Sequence, residues 1–328
     1  MKRLLKWLAG LALVLAAAFA LLRTPDTDPA AMKAKYGTPQ SQYLAMADGL
    51  KLHLRDEGPR DAPVIVLLHG LSADTHLWDR WADPLTQNYR VIRYDQIGHG
   101  LTGTDPRGDY SREGQLARLE ELVDRFALGR FVLAGSSMGG DLALAYAIKH
   151  GERVQGLAVL DPGGVPVTEK AKGNVGFTLA ATPGISWLAE RITPRALIAR
   201  SVHQTLANQA EVNDAMIDRY WEMLRYPGNR AAMMAKMALP RIPHSPQQLA
   251  ALRMPVLIEW GDRDALIPVS AGRLLGQTIP GARLVIYPGI GHLPMEEVPA
   301  RSLADFTKWL EPIAAPRRAD LDAPPPRG

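Results

Sequence analysis

The chain has 328 residues, 47% of them apolar and 22% charged, enough to bury a sizeable core in one large domain and ordinary for a soluble fold. It has no cysteine, which excludes disulfides, thiolate metal sites, a cysteine nucleophile and a lipidated amino-terminal cysteine. The formal net charge of +4 equals the four cations Lys2, Arg3, Lys6 and Arg23, so the rest of the chain is formally neutral; with no basic stripe and no stacking aromatics, nucleic acid is excluded as a partner.

Lys2, Arg3 and Lys6 precede the uncharged run 7–22, which as a helix spans roughly 24 Å. Two interpretations fit residues 1–23: an uncleaved membrane anchor, and a secretory signal cut after Ala18-Phe19-Ala20. The run has no polar break before Ala18, and a cut there leaves Leu21 and Leu22 at the new terminus, which favours the anchor. Basic residues are denser before the run than after it. That predicts an inside amino terminus and a remainder on the exported, periplasmic or extracellular side, so the protein is expected to be membrane-anchored or secreted. Residues 24–40, with Pro, Asp and Thr and no apolar periodicity, read as a linker.

Eight stretches read as strands: 41–47 and 50–57, joined by the turn signal Asp48-Gly49, then 64–68, 89–94, 131–134, 154–160, 256–260 and 282–287. Most are short continuous apolar runs, as strands covered on both faces should be. Helical patterns lie between them near 75–85, 111–126, 141–150, 269–277 and 298–310. This alternation predicts an α/β fold whose eight-stranded, mostly parallel sheet is flanked by helices. It breaks after 162, where Val212, Met216, Tyr220, Met223 and Leu224 fall at helical spacing. Residues 163–245 are read as a helical cap inserted after the sixth strand, dividing the core into 41–162 and 246–311. The cap's Trp187, Trp221, Met216, Met223, Met233, Met234 and Met237 either line an apolar acyl pocket or pack the cap's own core, and none is assigned to the site. Residues 312–328, rich in Pro and Arg, are expected to be a disordered tail.

The most informative motif is Gly135-Ser136-Ser137-Met138-Gly139-Gly140, between an apolar strand and a helical pattern. A serine on such a turn is thrust out of the backbone, and Gly135 and Gly139 let strand and helix approach at the corner, making Ser137 a candidate nucleophile. A serine hydroxyl needs a base within reach and a third group to orient that base. Asp264 follows one late strand in Gly261-Asp262-Arg263-Asp264, and His292 follows the next in Pro288-Gly289-Ile290-Gly291-His292. Ser137, Asp264, His292 is the chain order of a nucleophile-elbow hydrolase.

With Leu68-His69-Gly70-Leu71 and Asp95-Gln96-Ile97-Gly98-His99-Gly100 earlier, the chain resembles the α/β-hydrolase superfamily over about residues 43–310, in the cap-bearing, esterase- and lipase-like branch. The resemblance implies Ser137 as nucleophile, His292 as general base then acid, and Asp264 as its orienting carboxylate. It also implies an oxyanion hole made by the backbone N–H groups of Leu71 and Met138, where losing one donor costs on the order of 3 kcal/mol of barrier. No cofactor or metal is called for. Asp262 and Asp161, the latter after an earlier strand, are the alternative acids. Asp95 is expected to fix its loop. His69 and His99 are expected to make structural hydrogen bonds, His53 sits in an early strand, and His76, His150, His203 and His244 are expected at the surface.

The expected activity is hydrolysis of a small to medium apolar carboxylic ester through an acyl-enzyme. Carbon–carbon hydrolases of ring-cleavage products share a Ser-Met-Gly-Gly string, but Ser136 stands where they usually have asparagine and Leu293 where they often have tryptophan. Amide or lactone hydrolysis stays open, as does a non-catalytic binding protein, against which the complete serine, acid and histidine set speaks.

Overall fold

The computed structural model describes residues 2–314 except Thr168, Lys170, Pro183 and Ile185. Its sheet contains β1 Ser41–Ala45, β2 Lys51–Glu57, β3 Val64–Leu68, β4 Arg90–Tyr94, β5 Phe131–Ser136, β6 Val154–Leu160, β7 Val256–Gly261 and β8 Arg283–Tyr287. The strands lie in the order β1-β2-β4-β3-β5-β6-β7-β8; β2 pairs antiparallel with β1 and β4, and every later pairing is parallel. Each of the eight expected strands is present, with its ends within two residues of expectation.

The helices are α1 Lys2–Leu22, α2 Pro29–Tyr36, α3 Asp79–Leu85, α4 Arg112–Arg125 and α5 Met138–Lys149. Between β6 and β7 come α6 Val175–Ala181, α7 Ser186–Arg191, α8 Arg195–Thr205, α9 Asp214–Leu224, α10 Asn229–Ala238 and α11 Pro246–Ala250. Then follow α12 Val269–Thr278, α13 Pro294–Glu297 and α14 Pro299–Ala314.

Helices cover both faces of the sheet, and the alternation of side chains along each strand divides the core. Val66 and Leu68 of β3 join Leu133 of β5, Leu144 of α5 and Leu275 of α12 on one face. Ile65 and Leu67 join Val132 of β5, Trp81 of α3 and Phe306 of α14 on the other. α14 buries Ser302, Phe306, Trp309 and Leu310, a helical stripe at i, i+4, i+7 and i+8. Its Phe306 ring sits 4.7 Å from Trp81, whose buried indole N–H donates to Ser302 Oγ at 3.0 Å.

Residues 24–40 depart from the linker expectation. Asp28 caps α2 by accepting the Ala31 N–H, Pro29 starts the helix, and Met32 is buried against Leu101 and Met223. Arg230 reaches Asp26 at 2.6 Å, and Glu222 accepts from Lys35 and Tyr36, each at 2.7 Å. One buried apolar side chain leaves no periodicity to read, and long-range polar contacts leave none either. The helix expected from 141 begins at Met138, because the Gly139-Gly140 pair reads as turn while serving as the first helical turn. α14 runs through Pro312 to Ala314, so those residues are helical where a tail was expected; the rest of that expectation, 315–328, lies outside the described residues.

The inserted helices dock through polar contacts. Arg219 of α9 pairs with Glu296 of α13 at 2.6 Å. His244 reaches Asp141 Oδ1 of α5 at 2.8 Å. His244 and His76 are therefore not surface residues: the first is buried, and the second, largely covered, bonds Asp79 at 2.7 Å. Such long-range partners leave no local mark in sequence.

Candidate active site

Ser137 joins β5 to α5 with φ +53° and ψ −114°, a backbone conformation costly for a residue with a Cβ. The corner is close enough to require glycine. A Cβ on Gly135 would stand 2.2 Å from the Gly139 carbonyl oxygen, and one on Gly139 2.3 Å from that of Leu68. The second contact presses the loop after β3 against the elbow and brings Gly70 and Leu71 beside Ser137.

Both loops at the ends of β7 and β8 deliver their polar groups to the same rim. Asp264 Oδ1 accepts the amides of Leu266 and Ile267 at 2.7 and 3.1 Å, and Oδ2 lies 2.7 Å from His292 Nδ1. Both side chains are buried. The His292 amide donates to Thr205 O at the end of α8, tying this loop to the inserted helices. Ser137 and His292 both line one cavity of about 70 Å³. Among the described residues no direct hydrogen bond joins the Ser137 hydroxyl to the imidazole, and such bonds are often long before substrate arrives.

Met138 N–H opens α5, where an amide has no partner within its own helix. Neither this amide nor that of Leu71 has an acceptor among the described residues. Leu71 lines the cavity beside Ser137.

The remaining sequence candidates fall elsewhere. His69 donates from Nδ1 to Gly70 O at 2.7 Å while Nε2 accepts the Gln96 amide at 2.9 Å, which fixes its tautomer. His99 donates to Ile97 O at 3.0 Å. Burial lowers both imidazoles below their usual range, His99 to about 3. Asp95 accepts from His53 of β2 and from the Leu101 and Thr75 amides, and so ties its own loop to three separate segments. Asp262 accepts the Gly289 amide at an exposed turn. Asp161 is buried, with Oδ1 accepting the Gly261 amide at 3.0 Å.

The cavity wall opposite the sheet comes mainly from Phe177, Ile198, Val202, Tyr220 and Leu224 of the inserted helices. Of the aromatic and methionine candidates there, only Met233 lines it; Met216 and Met223 are buried in core clusters and Trp187 is exposed. Glu297 went unnoticed in the sequence. Its buried carboxylate accepts from Ala207 and Asn208 on one side and from Gly291 and Leu293 on the other, bracketing His292. An acid in a short helix carries no signal that would have singled it out.

A family model described as alpha/beta hydrolase fold matches residues 63–299. In sequence the chain is similar to lipase 3 of Moraxella sp., 25% identical over 272 residues that cover 80% of this chain and 82% of that protein. It is also similar to 2-hydroxy-6-oxo-2,4-heptadienoate hydrolase of Pseudomonas putida, 28% identical over 261 residues covering 76% of this chain and 88% of that one. Among solved structures it is similar to a membrane phospholipase A described as a bacterial virulence factor, with a TM-score of 0.74, 26% identity and coverage of 96% of this chain and 100% of the other.

Proposed function

The chain belongs to the alpha/beta hydrolase fold family, and on that premise we propose that it is a metal-independent serine hydrolase cleaving a small to medium apolar carboxylic ester through an acyl-enzyme. The observation that carries this is the opening of a strained Ser137 and an Asp264-braced His292 onto one apolar cavity.

In the proposed mechanism His292 Nε2 takes the Ser137 proton as Oγ attacks the ester carbonyl. The negative charge that develops on the carbonyl oxygen is met by the Leu71 and Met138 amides, which need no reorganisation to receive it. His292 returns its proton to the leaving alcohol, then activates the water that releases the acid. Asp264 stays ionised throughout, accepting a hydrogen bond from His292 Nδ1–H and holding the imidazole in the productive tautomer. The inserted helices act as a cap that seats the apolar part of the substrate.

We also assign α1 as an uncleaved membrane anchor with the rest of the chain on the exported side. Support comes from its 21 residues, long and apolar enough to cross a membrane and with none buried, and from the basic residues at its start. The membrane phospholipase neighbour is consistent with that placement. The membrane and an apolar ester are the proposed partners.

A second reading, carbon–carbon bond hydrolysis, is favoured by the Pseudomonas putida relative. A panel of p-nitrophenyl acyl esters and ring-cleavage dienones separates the two. Ester turnover that falls about 10⁴-fold or more in Ser137→Ala supports esterase activity. Turnover of dienones alone, or ester turnover unchanged in Ser137→Ala, overturns it.

A further inference from the structure

Next to the Asp264–His292 pair lies a second buried carboxyl that the mechanism above does not use. Asp161 follows β6, the neighbour of β7 in the sheet, and has no solvent exposure. Its φ of +44° is a left-handed conformation uncommon outside glycine, so the surrounding structure holds this side chain where it stands. Oδ1 is satisfied by the Gly261 amide, whereas Oδ2 is buried with no donor among the described residues. Polar atoms of Asp161, Asp264 and His292 all lie within 4.8 Å of one another.

The two carboxyls are unequally provided for. Asp264 receives Leu266 N–H, Ile267 N–H and the His292 ring; Asp161 receives Gly261 N–H alone. Two ionised carboxylates this close, shielded from water, repel strongly, so one holds a proton, and it belongs on the group with fewer donors. Burial first, then the Asp264 charge, pushes the Asp161 carboxyl well above the usual carboxylate range, and Glu297 adds further negative charge from α13. Asp264, His292 and Glu297 are the titratable groups facing it.

We propose that Asp161 is a positioning residue: it carries a proton on Oδ2 and donates it as a hydrogen bond to Asp264, holding that carboxylate against His292. Its effect on rate rests on the serine-hydrolase reading; the location of the proton does not. No bond to substrate forms or breaks at Asp161, and the proton stays on it through the cycle. By donating to Asp264 it fixes the carboxylate's rotamer and draws off part of its charge, which moderates the basicity conferred on His292.

Asp161→Asn places an amide N–H where the acid has its O–H and leaves a carbonyl for Gly261. Asp161→Ala removes the donor. In the full-length protein, Asp161→Asn should keep kcat/KM within about 3-fold and leave the acid limb of its pH profile in place, while Asp161→Ala loses roughly 10- to 100-fold in kcat with little change in KM. In Asp161→Ala that limb should also move to higher pH. An acid limb lowered by about one pH unit or more in Asp161→Asn means that a negative charge beside His292 has been removed, and overturns the proposal.

Thermal unfolding reads the proton without turnover. Above the ordinary carboxyl range and below the raised folded value, the Asp161 site holds a proton in the folded wild type that it has lost in the unfolded chain, so its contribution to stability falls as pH rises. Asp161→Asn escapes that loss, and its Tm relative to wild type should climb as pH rises above the ordinary carboxyl range. A constant difference overturns the proposal. If Asp161→Ala fails to fold, the asparagine variant alone decides. If no ester is turned over at all, the Tm comparison still decides whether the Asp161–Asp264 pair holds a proton, which separates this inference from the assignment of activity.

Discussion

Ser137, His292 and Asp264 differ in how they were legible. Ser137 announces itself through small residues at the corner, because a sharp strand-to-helix turn imposes local composition. His292 follows from strand order, since the loops after parallel strands all open at one edge of a sheet. The Gly-x-x-Asp spacing after the penultimate strand favours Asp264 over Asp161; in three dimensions the two amides gathered by the 264 loop and the hydrogen bond to His292 set it apart. Asp264→Asn should reduce kcat about 10⁴-fold with the fold intact, since the amide favours the wrong imidazole tautomer; near-normal kcat would place the working acid elsewhere. The buried histidines give a stability prediction. His99 has a folded pKa of about 3 against 6.5 for a free imidazole, so the folded state resists a proton that the unfolded chain accepts. The stability this contributes is complete above about pH 6.5 and is lost as pH falls toward 3. His99→Gln should flatten the acid side of the Tm profile, and an unchanged profile would refute the assignment.

At the level of elements, most strands were legible because burial on both faces demands unbroken apolar runs, β1 and β2 because the Asp48-Gly49 turn joins them, and the helices packed on the sheet because their stripes are long. α2 was not legible: eight residues with a single buried anchor, Met32, give no pattern. Yet it matters to the site, because residues 24–36 grip the outer side of α9 and α10 through Glu222, Arg225 and Arg230, while Tyr220, Leu224 and Met233 of the same helices line the cavity. Met32→Asp removes buried apolar contact worth about 1.5–3 kcal/mol and buries an unpaired acid instead. Increased protease cleavage within residues 24–40, together with a lower Tm, is the expected result. Unchanged cleavage would mean that the segment does not hold to the inserted helices in solution.

For the whole molecule, length, the absence of cysteine and the alternation of strands and helices were enough to identify a sheet with helices on both faces. The docking of the inserted helices was not legible, because Arg219–Glu296 and His244–Asp141 join residues 77 and 103 positions apart. The orientation of the chain in a membrane is a property of the same scale. With α1 as an anchor, a carboxy-terminal alkaline phosphatase fusion should be active and remain with membranes; an inactive fusion on the cytoplasmic side would contradict export. The central claim is that Ser137 is the nucleophile activated by His292. Mass spectrometry after reaction of the full-length protein with a fluorophosphonate tests it most directly. One adduct on Ser137, formed far more slowly in His292→Ala, is the predicted result; ester turnover without an adduct on Ser137, or labelling indifferent to His292, would contradict it.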